Sequence, residues 1–371
     1  MSQSNIFLRQ VLNTLGTGKT PTNLEWQQLA NEALESTYWK QAFNLTPADV
    51  NAIIQPDNYS LWQFFSEVYF DIFSIPSFKV YINSNIKKTD INAKIILSLW
   101  KFWLPLSLKL AISRQQMNRP FIQGILGGQG TGKTTLATVC CLILSKLGYQ
   151  TLSFSLDDLY KTYAERQRLQ AEDSRLIWRG PPGTHDVELG IELLDQLRQP
   201  NLHPSISVPR FDKSAWNGAG DRTTPELVQD IDIVLFEGWF VGVRPIDATV
   251  FDTIALAPIQ TAGDRTFARD MNEQLRNYLP LWERLDHLML LYPTDYRLSQ
   301  QWRRQAEQQM IASGKSGMTD AQVDGFVEYF WKSLHPELFI TPLTQNPSYV
   351  DLVVEVNPDH SIGEIYRFGK E

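Results

Sequence analysis

The chain has 371 residues, which at roughly 150 residues per domain predicts about two and a half domains. Its 34 Lys plus Arg face 41 Asp plus Glu, and the net charge of −7 argues against a protein whose main task is to neutralise nucleic-acid phosphates. With 43% apolar and 20% charged residues, wholesale disorder is excluded, and a chain this long buries a large core without staples.

The N-terminal MSQSNIFLRQVLNTLG has no long apolar run and no small-residue cleavage site, so no signal peptide is expected. Gly16-Thr17-Gly18-Lys19-Thr20 imitates the end of a phosphate loop, but Asn13 stands where the leading glycine belongs and Pro21 follows directly. It reads as a linker between helices. Thr22 with Glu25 forms a capping-box pattern ahead of LEWQQLANEALES, and Thr46, Pro47 and Asp49 supply a cap, a first-turn proline and a first-turn acid. Leu61, Phe64, Phe65, Val68 and Phe73 recur near helical spacing and predict a core-facing stripe. The most apolar stretch, Ile95 to Ile112, contains Lys101, Pro105 and Lys109 and predicts buried helices rather than a bilayer span of about 20 apolar residues. Residues 1–118 therefore read as an all-helical N-terminal region.

After Asn118 the pattern changes. Strands are predicted at 121–126, 151–156, 205–209, 231–236 and 287–292, with helical patterns between most of them. That alternation implies right-handed βαβ units, an α/β fold and a mostly parallel sheet covered by helices on both faces. VDLVVEV and SIGEIYRF flank Asn357-Pro358-Asp359-His360 and predict a closing hairpin. Cys140 and Cys141, the only cysteines, are adjacent, so they close no useful loop and point to a reducing, cytoplasmic setting.

Between the first strand and an apolar helix stands Gly127-Gly128-Gln129-Gly130-Thr131-Gly132-Lys133-Thr134, followed by Thr135. Its glycines let backbone N–H groups point inward around a polyphosphate, and the helix N-terminus adds positive potential. Lys133 should reach the β and γ phosphates, and the Thr134 hydroxyl should ligate Mg²⁺. No Asn-Lys-x-Asp and no Leu-Ser-Gly-Gly-Gln element is present, which argues against a GTPase switch and a transporter ATPase.

Asp157 and Asp158 follow the second strand, whose C-terminal end faces the ligand crevice of such a sheet. A carboxylate there can accept the proton of an attacking hydroxyl, while either acid also fits as a helix cap. The 231–236 strand ends in Phe236-Glu237-Gly238-Trp239, and Glu237 resembles a Walker B acid that holds Mg²⁺ directly or through water. Three more clusters stand out: Arg179 to Asp186, Arg210 to Arg222, and Gln301 to Glu307 with Gly314, Gly317 and Met318 beyond. An arginine beside a mobile glycine-containing segment is what a closing lid needs.

The motifs GGQGTGKTT, SLDDLY, RGPPGTHD, FDKSAWNGAGDR, FEGW and WRRQAE together resemble those of the plant-type D-glycerate 3-kinases. These belong to the P-loop kinase group that includes phosphoribulokinase, uridine kinase and bacterial pantothenate kinase. The resemblance covers about residues 119–371 and departs from the usual pattern at Trp216, where another aromatic is common. It implies a P-loop NTPase fold and ATP-dependent, Mg²⁺-assisted phosphorylation of the primary hydroxyl of D-glycerate to 3-phospho-D-glycerate, as in photorespiratory salvage. It also implies Asp157 as base, Asp186 and its neighbour His185 at the acceptor, and functional roles for Arg222 and Arg303. His185 fits a structural imidazole equally well. Asp158 belongs to the acceptor candidates, and Arg179, Arg210 and Arg222 are the candidates for the glycerate carboxylate. The expected partner is a small molecule, with no nucleic acid and no membrane. A kinase of another small hydroxylated acceptor (uridine, pantothenate or ribulose 5-phosphate) and a non-enzymatic ATP-binding regulator are the alternatives.

Overall fold

Side chains on a strand alternate between its two faces, and here that alternation sorts the central sheet into two cores. Eight strands occur in the described residues: β1 (Phe121–Gly127), β2 (Thr151–Ser155), β3 (Ile206–Asp212), β4 (Asp221–Val228), β5 (Ile233–Gly238), β6 (His287–Pro293), β7 (Leu352–Val356) and β8 (Ile362–Tyr366). Six make one sheet in the order β2-β5-β1-β6-β7-β8, parallel throughout except for β8. Phe121, Ile125, Ile233, Leu235, Met289 and Val354 face one core. Their neighbours Ile122, Leu126, Val234, Phe236, Leu290 and Val353 face the other. The structure is a computed structural model that describes residues 10–11, 14, 19–35, 37–54, 60–75, 78, 94–199, 205–312 and 317–367.

The first face is covered by α6 (Lys133–Lys146) and by the N-terminal helices α1 (Asn23–Glu35), α2 (Thr37–Phe43), α3 (Pro47–Ile54), α4 (Leu61–Ile72) and α5 (Leu104–Gln115). Trp26, Trp39, Phe65 and Trp100 join Ile143 and Met289 in one apolar cluster, so the N-terminal helices and the sheet share a core. Burying each such large side chain contributes about 1.5–3 kcal/mol. The second face carries α8 (Val187–Leu197), whose Leu193, Leu194 and Leu197 pack with Phe240, Tyr278 and Trp282. The other helices that reach the site are α7 (Tyr163–Glu172), α9 (Leu298–Ala312) and α10 (Asp320–Ser333).

Local signals behave as their chemistry demands. Thr22 and Glu25 exchange cap hydrogen bonds at the start of α1, and Thr46 and Asp49 do so before α3. In α4 the buried stripe is Leu61, Phe64, Phe65, Val68, Tyr69 and Ile72. Phe73 falls outside it because the helix ends one residue earlier. Lys94–Gln115 forms one helical run of 22 residues, long and apolar enough to cross a membrane by length and composition, but 72% of its apolar window is buried inside the fold. Pro105 does not break this run, because a π-helical turn at Leu99–Trp103 precedes it and absorbs the missing N–H donor.

The strand predicted at 205–209 does not enter the central sheet. It belongs to β3, which pairs antiparallel with β4 in a separate two-stranded ribbon. Most of β4 is exposed, and its Asp221-Arg222-Thr223-Thr224-Pro225-Glu226 run lacks the apolar continuity of a covered parallel strand. The 231–236 segment is thus the third strand of the parallel set in chain order. The closing hairpin forms as expected, with Asn357–His360 as its turn and His360 at φ +62. Gly16–Gly18 of the imitation loop and Gly314 lie outside the described residues.

Candidate active site

β1 ends at Gly127, and the chain enters α6 through Gly132, whose φ of +88 is a left-handed conformation that glycine adopts without strain. Gly130, at φ +79, lies so close to Trp302 that a Cβ there would stand 2.7 Å from the Trp302 Cβ. The loop from Gly127 to Thr135 thus wraps the positive end of a helix against α9, the geometry of an anion cradle. Lys133 Nζ donates to the Gly128 carbonyl at 3.0 Å and lies 4.0 Å from Glu237 Oε2. The Thr134 hydroxyl donates to Glu237 Oε1 at 3.4 Å. Burial lowers the Lys133 ammonium pKa, while the Glu237 and Asp157 charges oppose that shift.

Glu237 is held there by register: in β5 it stands opposite Ile125 of β1 and Ser155 of β2, at the sheet edge where the loops open. Only 8% of it is exposed. With Thr134 it offers two hard oxygen donors side by side. Among the described residues, no group of three or more His, Cys, Asp or Glu could hold an ion. Magnesium is commonly bound by one or two protein oxygens, with phosphate oxygens and water in its other positions.

Past β2 the chain turns through a 3₁₀ helix, Leu156–Leu159, that carries Asp157 in its first turn. Asp157 Oδ2 accepts a hydrogen bond from Lys213 Nζ at 2.6 Å. Burial pushes its carboxyl pKa up, but the Lys213 ammonium and the Tyr160 hydroxyl more than offset this and hold it below the usual carboxylate range. Asp157 is therefore an ionised acceptor at neutral pH.

Asp157, Arg179, Lys213, Glu237, Arg303 and the loop from Gln129 to Thr135 line one cleft of about 2150 Å³. A single small-molecule site typically occupies about 300–1,000 Å³, so the cleft has room for two ligands. Arg179 is tethered through Nη1 to the carbonyls of Gly218 (2.7 Å) and Ala219 (2.9 Å). Arg166 reaches the Ala219 carbonyl at 2.8 Å and also bonds Gly220. Both guanidinium groups lie over the Phe211 ring, at 5.6 and 5.4 Å. Arg303 pairs with the buried Glu307 at 2.5 Å and lies over Phe326.

Five expected acceptor contacts turn elsewhere. Asp158 accepts from the Ser155 backbone N–H at 3.0 Å and pairs with Arg210 at 2.9 Å, so it caps the 3₁₀ turn. Arg210 spans Asp158 and, at 2.6 Å, Glu226 on the neighbouring strand of the ribbon. Asp186 caps α8 and pairs with Arg222 at 2.8 Å, while Arg222 also donates to the Tyr160 carbonyl at 3.1 Å. His185 is buried, stacked on Tyr160 at 4.6 Å, with Nδ1 2.8 Å from the Tyr278 hydroxyl. None of these five lines the cleft. They brace the segments that carry Asp157, Tyr160 and Arg179. Lys213 and Arg166, which do line it, carry weak sequence signals: Lys213 lies inside a flagged cluster, and Arg166 sits in a polar helix beside the similar Arg168.

The two most buried imidazoles make a stability prediction. Burial lowers the pKa of His185 to about 3 and of His335 to about 4, so both stay neutral in the folded chain. Below the unfolded-state pKa of about 6.5 the unfolded chain binds the extra protons, so stability falls as pH drops. The unfolding free energy from urea titration should decline from pH 7 to 5, by up to about 1.4 kcal/mol per pH unit for each such imidazole. A free energy flat across that interval would show that both rings take up protons in the fold as readily as in the unfolded chain.

No protein-family model matches the chain. It is 31% identical over 255 residues to the chloroplastic D-glycerate 3-kinase of Arabidopsis thaliana, a match that takes in 64% of this chain and 54% of that protein. The chain thus spans about half the length of that relative. It is 33% identical over 222 residues to a probable ATP-dependent kinase of Saccharomyces cerevisiae, covering 56% of this chain and 74% of the yeast protein. A solved D-glycerate 3-kinase from Cryptococcus neoformans superposes with a TM-score of 0.64 at 30% identity, over 74% of this chain and 99% of that one.

Proposed function

The chain belongs to the D-glycerate 3-kinase family of P-loop kinases, and we propose that it transfers the γ-phosphoryl group of ATP to the primary hydroxyl of D-glycerate, giving 3-phospho-D-glycerate and ADP in a glycerate salvage step. The observation that carries this reading is one cleft that holds a phosphate loop, an ionised carboxylate at Asp157, and the guanidinium groups of Arg166 and Arg179 brought together on the Ala219 carbonyl. A sensor that only binds ATP has no use for that acid or for a paired carboxylate clamp.

The loop's N–H groups receive the triphosphate, and Lys133 moves from the Gly128 carbonyl to the β and γ oxygens. Thr134 and Glu237 fit a magnesium ion, which when bound would neutralise charge on the phosphates. Arg179 and Arg166 hold the glycerate carboxylate through parallel hydrogen bonds. Asp157 orients the primary hydroxyl and takes its proton as the new O–P bond forms and the bond to ADP breaks. Lys133, Lys213 and Arg303 offset the charge on the transferring group. Much of the rate comes from positioning and electrostatics, because the protein need form no covalent bond.

ADP release measured with D-glycerate, uridine, pantothenate and ribulose 5-phosphate in turn, followed by product identification, tests the reading. Stimulation by D-glycerate alone with a 3-phospho product supports it. No stimulation above background hydrolysis overturns it, and a 2-phospho product overturns the assigned hydroxyl. Within the same assay Arg179→Lys should raise the glycerate KM about 10- to 100-fold, the value of a charge-assisted hydrogen bond of about 1.5–3 kcal/mol, and leave the ATP KM near its original value. An unchanged glycerate KM removes Arg179 as a carboxylate ligand.

A further inference from the structure

The loop that joins β3 to β4 holds Trp216 (φ +51), Asn217 (φ +54), Gly218 (φ +91) and Gly220 (φ +74) in left-handed conformations. Asparagine and glycine adopt this region readily, but for a tryptophan it is an outlier that persists only where the surroundings hold it. Here they do. The Trp216 ring stacks on Tyr163 at 4.9 Å, its Nε1 donates to Asp221 at 2.9 Å, and the Gly220 N–H donates to the Ala215 carbonyl at 2.7 Å. Both ends of the loop are fixed on the acceptor side of the cleft. At one end Lys213 Nζ donates to Asp157 at 2.6 Å, and at the other the Gly218 and Ala219 carbonyls hold Arg179 and Arg166. An acceptor with its reacting hydroxyl at Asp157 and its carboxylate at these arginines therefore lies with its middle along the middle of the loop. Two polar side chains of that middle stretch line the cleft, Ser214 and Asn217. The Ser214 hydroxyl is taken up by Asp212, to which it donates at 2.6 Å. Asn217 is exposed, and among the described residues its amide has no hydrogen-bond partner.

We propose that Asn217 binds the hydroxyl on the carbon next to the acceptor's carboxylate, and so sets a preference for a 2-hydroxy acid over its deoxy analogue. This rests on the reading of the chain as a kinase of D-glycerate. An alcohol both donates and accepts a hydrogen bond, and a carboxamide meets it with an NH₂ group and a carbonyl oxygen. The charged groups nearby cannot do both: Lys213, Arg166 and Arg179 only donate, and ionised Asp157 only accepts. The Trp216 stack holds the turn that presents the amide, which accounts for a bulky residue kept in an unfavourable backbone conformation at the rim of the site.

The test sets D-glycerate against 3-hydroxypropanoate, which has the same carboxylate and primary hydroxyl but lacks the hydroxyl on the middle carbon. Asn217→Gly removes the amide and keeps the turn, because glycine adopts a φ of +54 without strain. On the whole chain with saturating ATP, kcat/KM is measured for D-glycerate and Ki for 3-hydroxypropanoate as its competitor. In Asn217→Gly, kcat/KM for D-glycerate should fall about 3- to 10-fold, the scale of one hydrogen bond between neutral groups, with the Ki unchanged. A kcat/KM that does not move overturns the proposal. So does a Ki that rises in step with the fall in kcat/KM, which would make Asn217 a support of the turn rather than a contact. Failure of the unaltered chain to turn over D-glycerate at all overturns the underlying reading, and is told apart because it appears before any substitution is made.

Discussion

Lys133→Ala is expected to abolish turnover, with a loss of about 10³-fold or more, the scale on which removal of a positive group at a developing phosphoryl charge is felt. Lys133 Nζ has the Gly128 carbonyl and the Glu237 carboxylate as its neighbours, so its removal breaks one loop hydrogen bond and one long ion pair. Neither contact belongs to the cores that hold the sheet, and the thermal midpoint should stay close to that of the unaltered chain. Lys133→Arg should not restore activity, because a planar fork cannot replace a compact ammonium that has to turn from a backbone carbonyl to phosphate oxygens. ADP binding by calorimetry and single-turnover phosphoryl transfer separate weakened capture from slowed chemistry. Turnover within tenfold of the original would mean that this loop is not where the transferred phosphate sits.

The features legible in the sequence are those whose chemistry is written within a few neighbouring residues. The loop from Gly127 to Thr135 is one, because a cradle of N–H groups requires its glycines at fixed spacing before a helix. The helix caps at Thr22 and Thr46 and the closing hairpin are others, and so is Glu237, which needs only the end of a covered strand. Arg179 and Arg210 show why the rest was hidden. Both are arginines beside turn residues, and what separates them is a partner far along the chain: Glu226 and Asp158 occupy Arg210, whereas Arg179 rests on the carbonyls of Gly218 and Ala219 and stays in the cleft. His185 and Asp186 sit in a motif that resembles an acceptor contact, yet Tyr278 and Arg222 take them into the scaffold. The 205–209 segment alternates as a core strand does, and only its pairing with a polar, exposed neighbour puts it in a ribbon. Local composition decides where a loop or a cap forms, and long-range pairing decides which of several equivalent charges faces the cleft.

Asp157→Asn should leave ADP binding intact and lower kcat about 10²- to 10⁴-fold, the usual contribution of a positioned general base. The amide keeps the size of the carboxylate and can still lie beside Lys213, so the loss reports the missing charge and proton acceptor rather than a cavity. A carboxyl held below its ordinary pKa is a weak base, which suits this reaction: in a loose phosphoryl transition state the hydroxyl proton leaves late, and the acid's first task is to aim the oxygen. The same low pKa fixes the pH dependence. A base already ionised contributes no acid limb to kcat/KM in neutral and mildly acidic solution, and activity falls on its account only as pH drops through its depressed pKa. Lys213→Met removes the ammonium 2.6 Å from Asp157 Oδ2 and leaves burial, which raises the pKa, as the largest influence. The acid limb of kcat/KM should therefore move to higher pH in Lys213→Met and be absent from Asp157→Asn, whose residual activity titrates no carboxylate at this position. The two changes act on one ion pair, so the double variant should lose much less than the product of the single losses. An Asp157→Asn enzyme that turns over within tenfold of the original, with its acid limb unmoved, would remove Asp157 as the base and leave the aim of the hydroxyl to the cations around it.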